Sequence, residues 1–200
     1  MPGRLVLDWD GTVTETDSLH MVLLEFGDRG VYEDAERELG RSLTLHDVIA
    51  REFSTVRAPL DEVVAWCREH VRVRRGFREL VAAHRPLILS SGFHELIEPV
   101  LQREGVEAEV LANRLDPRPD GWRVRFRDEA ACATCSEACK RGSLPPGPIV
   151  YVGDGASDHC AALSADRVFA RDGLARWLDR RGAPYERFAD LVDVARALRA

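Results

Sequence analysis

The chain is predicted to fold as an α/β protein built on a parallel sheet. Three observations predict it. Apolar runs at 4–9, 86–90 and 149–152 each end in a polar or glycine-bearing turn. Helical periodicity fills much of the sequence between them. Strands that alternate with helices imply a parallel sheet.

The elements follow in order. Leu5-Val6-Leu7 is a buried strand that ends at Asp8-Trp9-Asp10-Gly11-Thr12. From about 17 to 72 the pattern is helical. Leu19, Val22, Leu23 and Phe26 share one face, as do Leu45, Val48, Ile49 and Phe53, and then Leu60, Val63, Val64, Cys67 and Val71. Thr44 and Asp47 supply an N-terminal cap for the second of these helices. This stretch is read as an insertion after the first strand. Pro86–Ser90 is a second strand, leading through Ser91-Gly92 into a helix with Phe93, Leu96, Ile97, Val100 and Leu101. Val106–Leu111 is a third strand. Residues 114–127 read as a hairpin turning at Asp120-Gly121. Ile149–Val152 ends at Gly153-Asp154-Gly155, Asp166–Ala170 is a last short strand, and 173–182 and 189–199 are helices.

Composition narrows the function. The 200 residues are 45% hydrophobic and 31% charged, which suits one domain or a core with a modest insertion. A net charge of −6 and no basic block argue against a nucleic-acid partner. No apolar run is long enough to cross a membrane. No signal peptide fits ahead of the first strand, so a cytoplasmic location is expected. Of 28 basic residues, Lys140 is the only lysine.

Four places carry chemistry. Asp8 and Asp10, at i and i+2 on an extended segment, point the same way at the carboxyl edge of the sheet, where ligands bind. Their repulsion calls for a divalent cation. Asp8 is a candidate nucleophile and Asp10 a candidate general acid/base. Ser90-Ser91-Gly92, between strand and helix, is an anion cradle, although by itself it also reads as an ordinary turn. Lys140, a compact ammonium in a chain that otherwise uses arginine, suits charge neutralisation at a phosphate. Asp154 ends another buried strand and can share a Mg²⁺ ion with Asp8, while Asp158 orients the site from behind.

The cysteines form a separate group. Cys132, Cys135 and Cys139 have metal-like spacing, but a closed zinc site takes four ligands. The fourth is left open between Cys160 and a histidine, beside the plainer reading of reduced structural thiols.

Taken together, Asp8-x-Asp10-Gly-Thr, Ser90, Lys140 and Gly153-Asp154-x-x-x-Asp158 resemble the haloacid dehalogenase-like phosphatases over essentially the whole chain. The resemblance implies a Rossmann-like core at 1–14 and 75–200 and a small all-helical cap at 15–74. This is the subclass that contains phosphoserine phosphatase. It implies that Asp8 is phosphorylated and that Asp10 moves protons. Mg²⁺ would bind Asp8, the backbone carbonyl of Asp10, and Asp154. Ser90, Ser91, Gly92 and Lys140 would hold the phosphate. Asp17, Arg51 and Phe53 are cap candidates for reading the leaving group.

Within the subclass, the chain is more similar to the 2-hydroxy-3-keto-5-methylthiopentenyl-1-phosphate phosphatases of methionine salvage. The similar segments are Cys139-Lys140, Ser42–Leu45 with Glu52-Phe53-Ser54, and Val168–Asp172 with Tyr185 and Phe188. Phosphoserine phosphatases carry a glutamate where this chain has Asp17. The expected substrate is a small phosphorylated metabolite, handled by a monomer or homodimer. The alternatives are a phosphoserine or phosphoethanolamine/phosphocholine phosphatase, a phosphomutase, a dehalogenase, or a zinc-binding interaction protein built on the cysteine cluster.

Overall fold

The computed structural model describes residues 3–199. Seven strands form one sheet in the order β4-β3-β2-β1-β5-β6-β7. They are β1 (Arg4–Leu7), β2 (Leu87–Phe93), β3 (Glu109–Asp116), β4 (Arg123–Arg125), β5 (Ile149–Gly153), β6 (Arg167–Ala170) and β7 (Glu186–Arg187). Every neighbouring pair is parallel except β3 with β4. β1 lies at the centre, with Val6 opposite Leu87 on one side and Tyr151 on the other.

The central strands read as continuous apolar runs because both faces of the sheet are covered. Leu5 and Leu7 join Val150, Val152, Phe169 and Leu191 on one face. Val6 joins Leu87, Leu89, Tyr151, Val168 and Leu174 on the other. This is the period-two alternation of a strand, with each fully buried aliphatic side chain contributing roughly 1.5–3 kcal/mol.

Between β1 and β2 lie α1 (Ser18–Phe26), α2 (Arg29–Glu38), α3 (Leu45–Phe53), α4 (Leu60–His70) and α5 (Phe77–His84). The three apolar periodicities correspond to α1, α3 and α4. α2 carries no such signal because it buries only Ala35. It is held instead by its Asp28 cap, which accepts from the Val31 N–H at 3.0 Å, and by surface pairs such as Arg29–Glu33. Thr44 and Asp47 form the reciprocal cap of α3, with contacts of 3.0 and 3.2 Å. The remaining helices are α6 (His94–Glu104), α7 (His159–Ala162), α8 (Asp172–Asp179) and α9 (Leu191–Ala197).

Two strand ends differ from the sequence reading, and α5, α7 and β7 lie where that reading places no element. The hairpin exists, but β3 starts at Glu109 and runs on to Asp116, absorbing the predicted third strand. Its connection to β4 spans 117–122, longer than a two-residue Asp-Gly turn. Burial explains the longer loop: Trp122 is 1% exposed and its indole N–H donates to the Ala58 carbonyl at 3.0 Å, pulling it out of the strand. β2 also continues through Ser91 and Gly92 to Phe93, so these residues lie in an irregular strand end, and its register with β3 shifts there. Among the described residues no helix is long and apolar enough to cross a membrane.

Candidate active site

The carboxyl ends of β1, β2 and β5 meet at one edge of the sheet. β1 stops pairing as a strand at Leu7, and 9–13 then wind into a tight turn in which Gly11 takes φ +75°. The two acids therefore converge through this turn and not through the pleat of a straight strand. Gly11 is required there, because a Cβ would run into the Asp154 carboxylate. Arg74 holds the turn in place. Its buried guanidinium donates to the carbonyls of Gly11, Thr12, Thr14 and Glu15, at 2.9 to 3.3 Å.

Lys140 occupies the centre of the site. It is 2% exposed, and its Nζ donates to Asp8 Oδ1 at 2.5 Å and to Asp158 Oδ1 at 2.7 Å. Burial works against its charge, but the two carboxylates overcome that and hold its pKa above the usual lysine range. Asp158 is fully saturated. It also accepts from the Tyr151 hydroxyl at 2.7 Å and from the backbone N–H groups of Asp154 and Gly155 at 2.9 and 3.0 Å. Burial raises its pKa, but Lys140 and these bonds outweigh burial and leave the carboxyl below its ordinary range. Asp158 is thus the partner that fixes Lys140.

Asp8 and Asp154 are in the opposite situation. Burial, then the charge of Asp158, raises Asp8 well above an ordinary carboxylate despite Lys140. Burial and Asp158 push Asp154 to about 6, although its Oδ1 accepts from the Thr12 hydroxyl at 2.7 Å. The carboxylates of Asp8, Asp154 and Asp158 offer oxygens within 4.8 Å of one another. Asp8 and Asp154 each keep one oxygen outside the hydrogen bonds described. Closely spaced hard oxygen donors, held apart from protons only at a cost, suit Mg²⁺. The close approach that only glycine permits at position 11 fits the same reading.

Asp10 accepts from the backbone N–H of Ser18 at 3.1 Å and from the Ser18 hydroxyl through the same oxygen. Its other oxygen is 3.4 Å from Ser90 Oγ. Burial, then the charge of Asp17, lifts Asp10 to about 7, a value at which a carboxyl can both give and take a proton. Ser90 Oγ also accepts from the Gly92 N–H at 2.8 Å, so that amide is already engaged. Arg127 braces this strand end by donating to the Ser90 carbonyl at 3.1 Å, and Asn113 donates to the Ser91 carbonyl at 2.8 Å.

A cavity of about 260 Å³ opens between this edge and α1–α3. Asp8, Asp10, Asp17, Ser91 and Asp154 line it. A second cavity of about 220 Å³, lined by Lys140, shares Leu45, Ser91, Ala156 and Ser157 with the first. Asp17 does double duty, since its carboxylate also caps α1 by accepting from the His20 N–H at 2.9 Å. Arg51 and Phe53 do not line either cavity. Arg51 is exposed, and Phe53 is fully buried between Phe93 and Trp122. Glu52, between them in sequence, lines the first cavity instead. Helical geometry accounts for this, because residues one apart on α3 point about 100° apart.

Sequence reasoning missed Tyr151, Ser18, Arg74, Arg127 and Glu52. Tyr151 was hidden in an apolar strand. The arginines were hidden among the many others.

The haloacid dehalogenase-like hydrolase family model matches residues 5–163. The 2-hydroxy-3-keto-5-methylthiopentenyl-1-phosphate phosphatase of Geobacillus thermodenitrificans (strain NG80-2) is 30% identical over 211 residues, 96% of each chain. Its namesake from Geobacillus kaustophilus (strain HTA426) is 29% identical over 213 residues, covering 99% of this chain and 97% of the relative. Among solved structures, phosphoserine phosphatase from T. onnurineus superposes with a TM-score of 0.70 at 21% identity. That likeness covers 99% of this chain and 94% of the other, and speaks to the fold. The family match runs from the first acid-bearing strand through the last, and so the chain belongs to the haloacid dehalogenase-like hydrolase family and is a phosphoric monoester hydrolase.

Proposed function

We propose that the chain is a Mg²⁺-dependent phosphomonoesterase that works through a phosphorylated Asp8, with 2-hydroxy-3-keto-5-methylthiopentenyl-1-phosphate as its substrate. The observation that carries the chemistry is the buried Lys140 bridging Asp8 and Asp158 beside a cavity lined by Asp10. Lys140 holds the Asp8 carboxylate in one orientation, so that its other oxygen is available to attack phosphorus. Asp10 gives a proton to the leaving oxygen, then takes one from the water that hydrolyses the acyl-phosphate. Lys140 and the Ser90 hydroxyl neutralise and orient the equatorial oxygens. Asp8, the Asp10 carbonyl and Asp154 would hold Mg²⁺, which when bound offsets the charge shared by phosphate and carboxylates. Residues 15–74 act as the cap that excludes water and reads the alcohol. Asp10→Asn is expected to lower kcat by about 10²–10⁴-fold. Steady-state phosphate release checks this, and an unchanged kcat would remove Asp10 from the proton path.

The cavity lining supports the substrate. Leu19, Leu23, Leu39, Leu45, Val48 and Ile49 give it an apolar wall, and no lysine or arginine is among the lining residues of this first cavity. A serine carboxylate would find no lysine or arginine there, only the His20 imidazole. A thioether chain would be well accommodated. Glu52, 4% exposed, faces the cavity with Oε1 lacking a hydrogen-bond partner. Burial, backed by Glu36 and Asp17, pushes its carboxyl up to about 8, so at neutral pH it keeps a proton to donate to a substrate carbonyl.

A phosphate-release screen over the enol-phosphate, phosphoserine, phosphocholine and phosphoethanolamine tests this reading. The enol-phosphate is expected to have the highest kcat/KM, and a preference for any of the others sinks the substrate assignment. Glu52→Leu, which keeps the bulk and removes the donor, is expected to lower kcat/KM for the enol-phosphate about tenfold, the value of one hydrogen bond of about 1.4 kcal/mol, while sparing p-nitrophenyl phosphate. Glu52→Gln, whose amide N–H still donates, should stay close to the parent. The glutamine variant reports on stability. A carboxyl whose folded pKa is raised stabilises the fold below its unfolded pKa of about 4.3, and that contribution is lost as pH rises through about 8. Glu52→Gln should flatten this decline in denaturant titrations across pH. An unchanged slope would show that Glu52 ionises normally.

A further inference from the structure

The chemistry above leaves the cysteine cluster unused. All five cysteines are free thiols, and four of them, Cys132, Cys135, Cys139 and Cys160, place their sulfurs within 4.8 Å of one another. Cys132 and Cys160 are 3.8 Å apart. A tetrahedral Zn²⁺ with bonds of about 2.3 Å requires ligand sulfurs about 3.8 Å apart. The backbone is already wound as for a metal knuckle. The Ser136 N–H donates to the Cys132 carbonyl at 2.8 Å, and the Thr134 N–H points at Cys132 Sγ at 3.4 Å. Ser136 takes φ +63°, a left-handed conformation uncommon for a side-chain-bearing residue. It turns the chain immediately after the second cysteine of the pair.

We propose that Cys132, Cys135, Cys139 and Cys160 form a structural tetrathiolate site for Zn²⁺ that anchors the loop carrying Lys140. Three ligands come from that loop, and the fourth comes from α7. None of residues 128–139 is buried, so the loop has no apolar anchor of its own. Yet Cys139 immediately precedes Lys140, whose position between Asp8 and Asp158 demands accuracy. Cys160 stands two residues after Asp158. One ion would therefore tie the lysine loop to the element that presents the lysine's partner. Soft thiolates select zinc, whereas the oxygen site of Asp8 and Asp154 selects a hard cation, so the two metals are kept apart by ligand type. Binding exchanges up to four thiol protons for one ion, with no change in oxidation state.

The test uses the full chain, untagged and purified in reductant. Elemental analysis is expected to find about one zinc per chain, retained through EDTA dialysis and released when a mercurial blocks the thiols. Metal-free protein titrated with Co²⁺ should develop sulfur-to-cobalt charge-transfer absorption and the strong visible bands of a tetrahedral site. Cys132→Ser and Cys160→Ser should each weaken metal retention by tenfold or more, while Cys67→Ser, buried elsewhere, should keep it. Zinc-free protein that also gives no thiolate bands with Co²⁺ overturns the proposal. So does full metal retention in Cys160→Ser, which would remove the fourth ligand. These spectra are read without substrate, so they stand whether or not the assigned phosphoester is correct.

Discussion

Asp8→Asn is expected to abolish turnover while leaving the fold intact. Asparagine has nearly the same shape and still offers an oxygen to Lys140, so packing around the 3%-exposed side chain is preserved. It also removes a negative charge that burial, and then the charges of Asp158, Asp154 and Asp10, oppose. Thermal stability should therefore hold or rise. The amide oxygen is too poor a nucleophile to form the acyl-phosphate, and kcat should fall by more than about 10⁴-fold, beyond the usual loss of an acid/base. Phosphate release in Mg²⁺ and a melting curve on the same sample check both halves. A folded Asp8→Asn that keeps most of its Mg²⁺-dependent activity would end the covalent mechanism.

Lys140→Met is expected to be the most destabilising single change at the site. It leaves Asp8 and Asp158 buried with no cation, and breaking a buried pair in this way costs about 3–5 kcal/mol. For a chain of this size, that lowers Tm by about 6–20 °C. Lys140→Arg should not restore either stability or activity. A planar fork with five donors does not fit between two carboxylate oxygens that a single ammonium bridges at 2.5 and 2.7 Å. A surface lysine would change stability by no more than about 0.5 kcal/mol, so a Tm near that of the parent would refute the bridge.

The parts of the fold legible in the sequence were those with period and punctuation. β1 and β5 announced themselves as apolar runs ending in acids. α1, α3 and α4 showed apolar stripes, and Thr44 with Asp47 marked the start of α3. α2 was illegible because it buries little more than Ala35 and is held by its cap and surface charges. The end of β2 was misread as a turn, because Asn113 and Arg127, distant in sequence, hold its irregular backbone.

The site divides along the same line. Asp8, Asp10, Asp154 and Lys140 could be named from the sequence, because strand ends and a solitary lysine are local or compositional signals. Their contacts could not. That Asp158 holds Lys140, that Tyr151 supports Asp158, and that Glu52 rather than Arg51 or Phe53 faces the cavity depend on which sides of strand and helix turn inward. The fourth thiol of the cysteine cluster was open for the same reason. By itself the sequence determined the α/β class, the family resemblance and which acids close β1 and β5, because these are written in local pattern and spacing. Only the tertiary structure decided which buried charges pair and which side chains line the cavity, because both depend on groups as far apart in sequence as Thr12 and Asp154, 142 residues, meeting across the sheet edge.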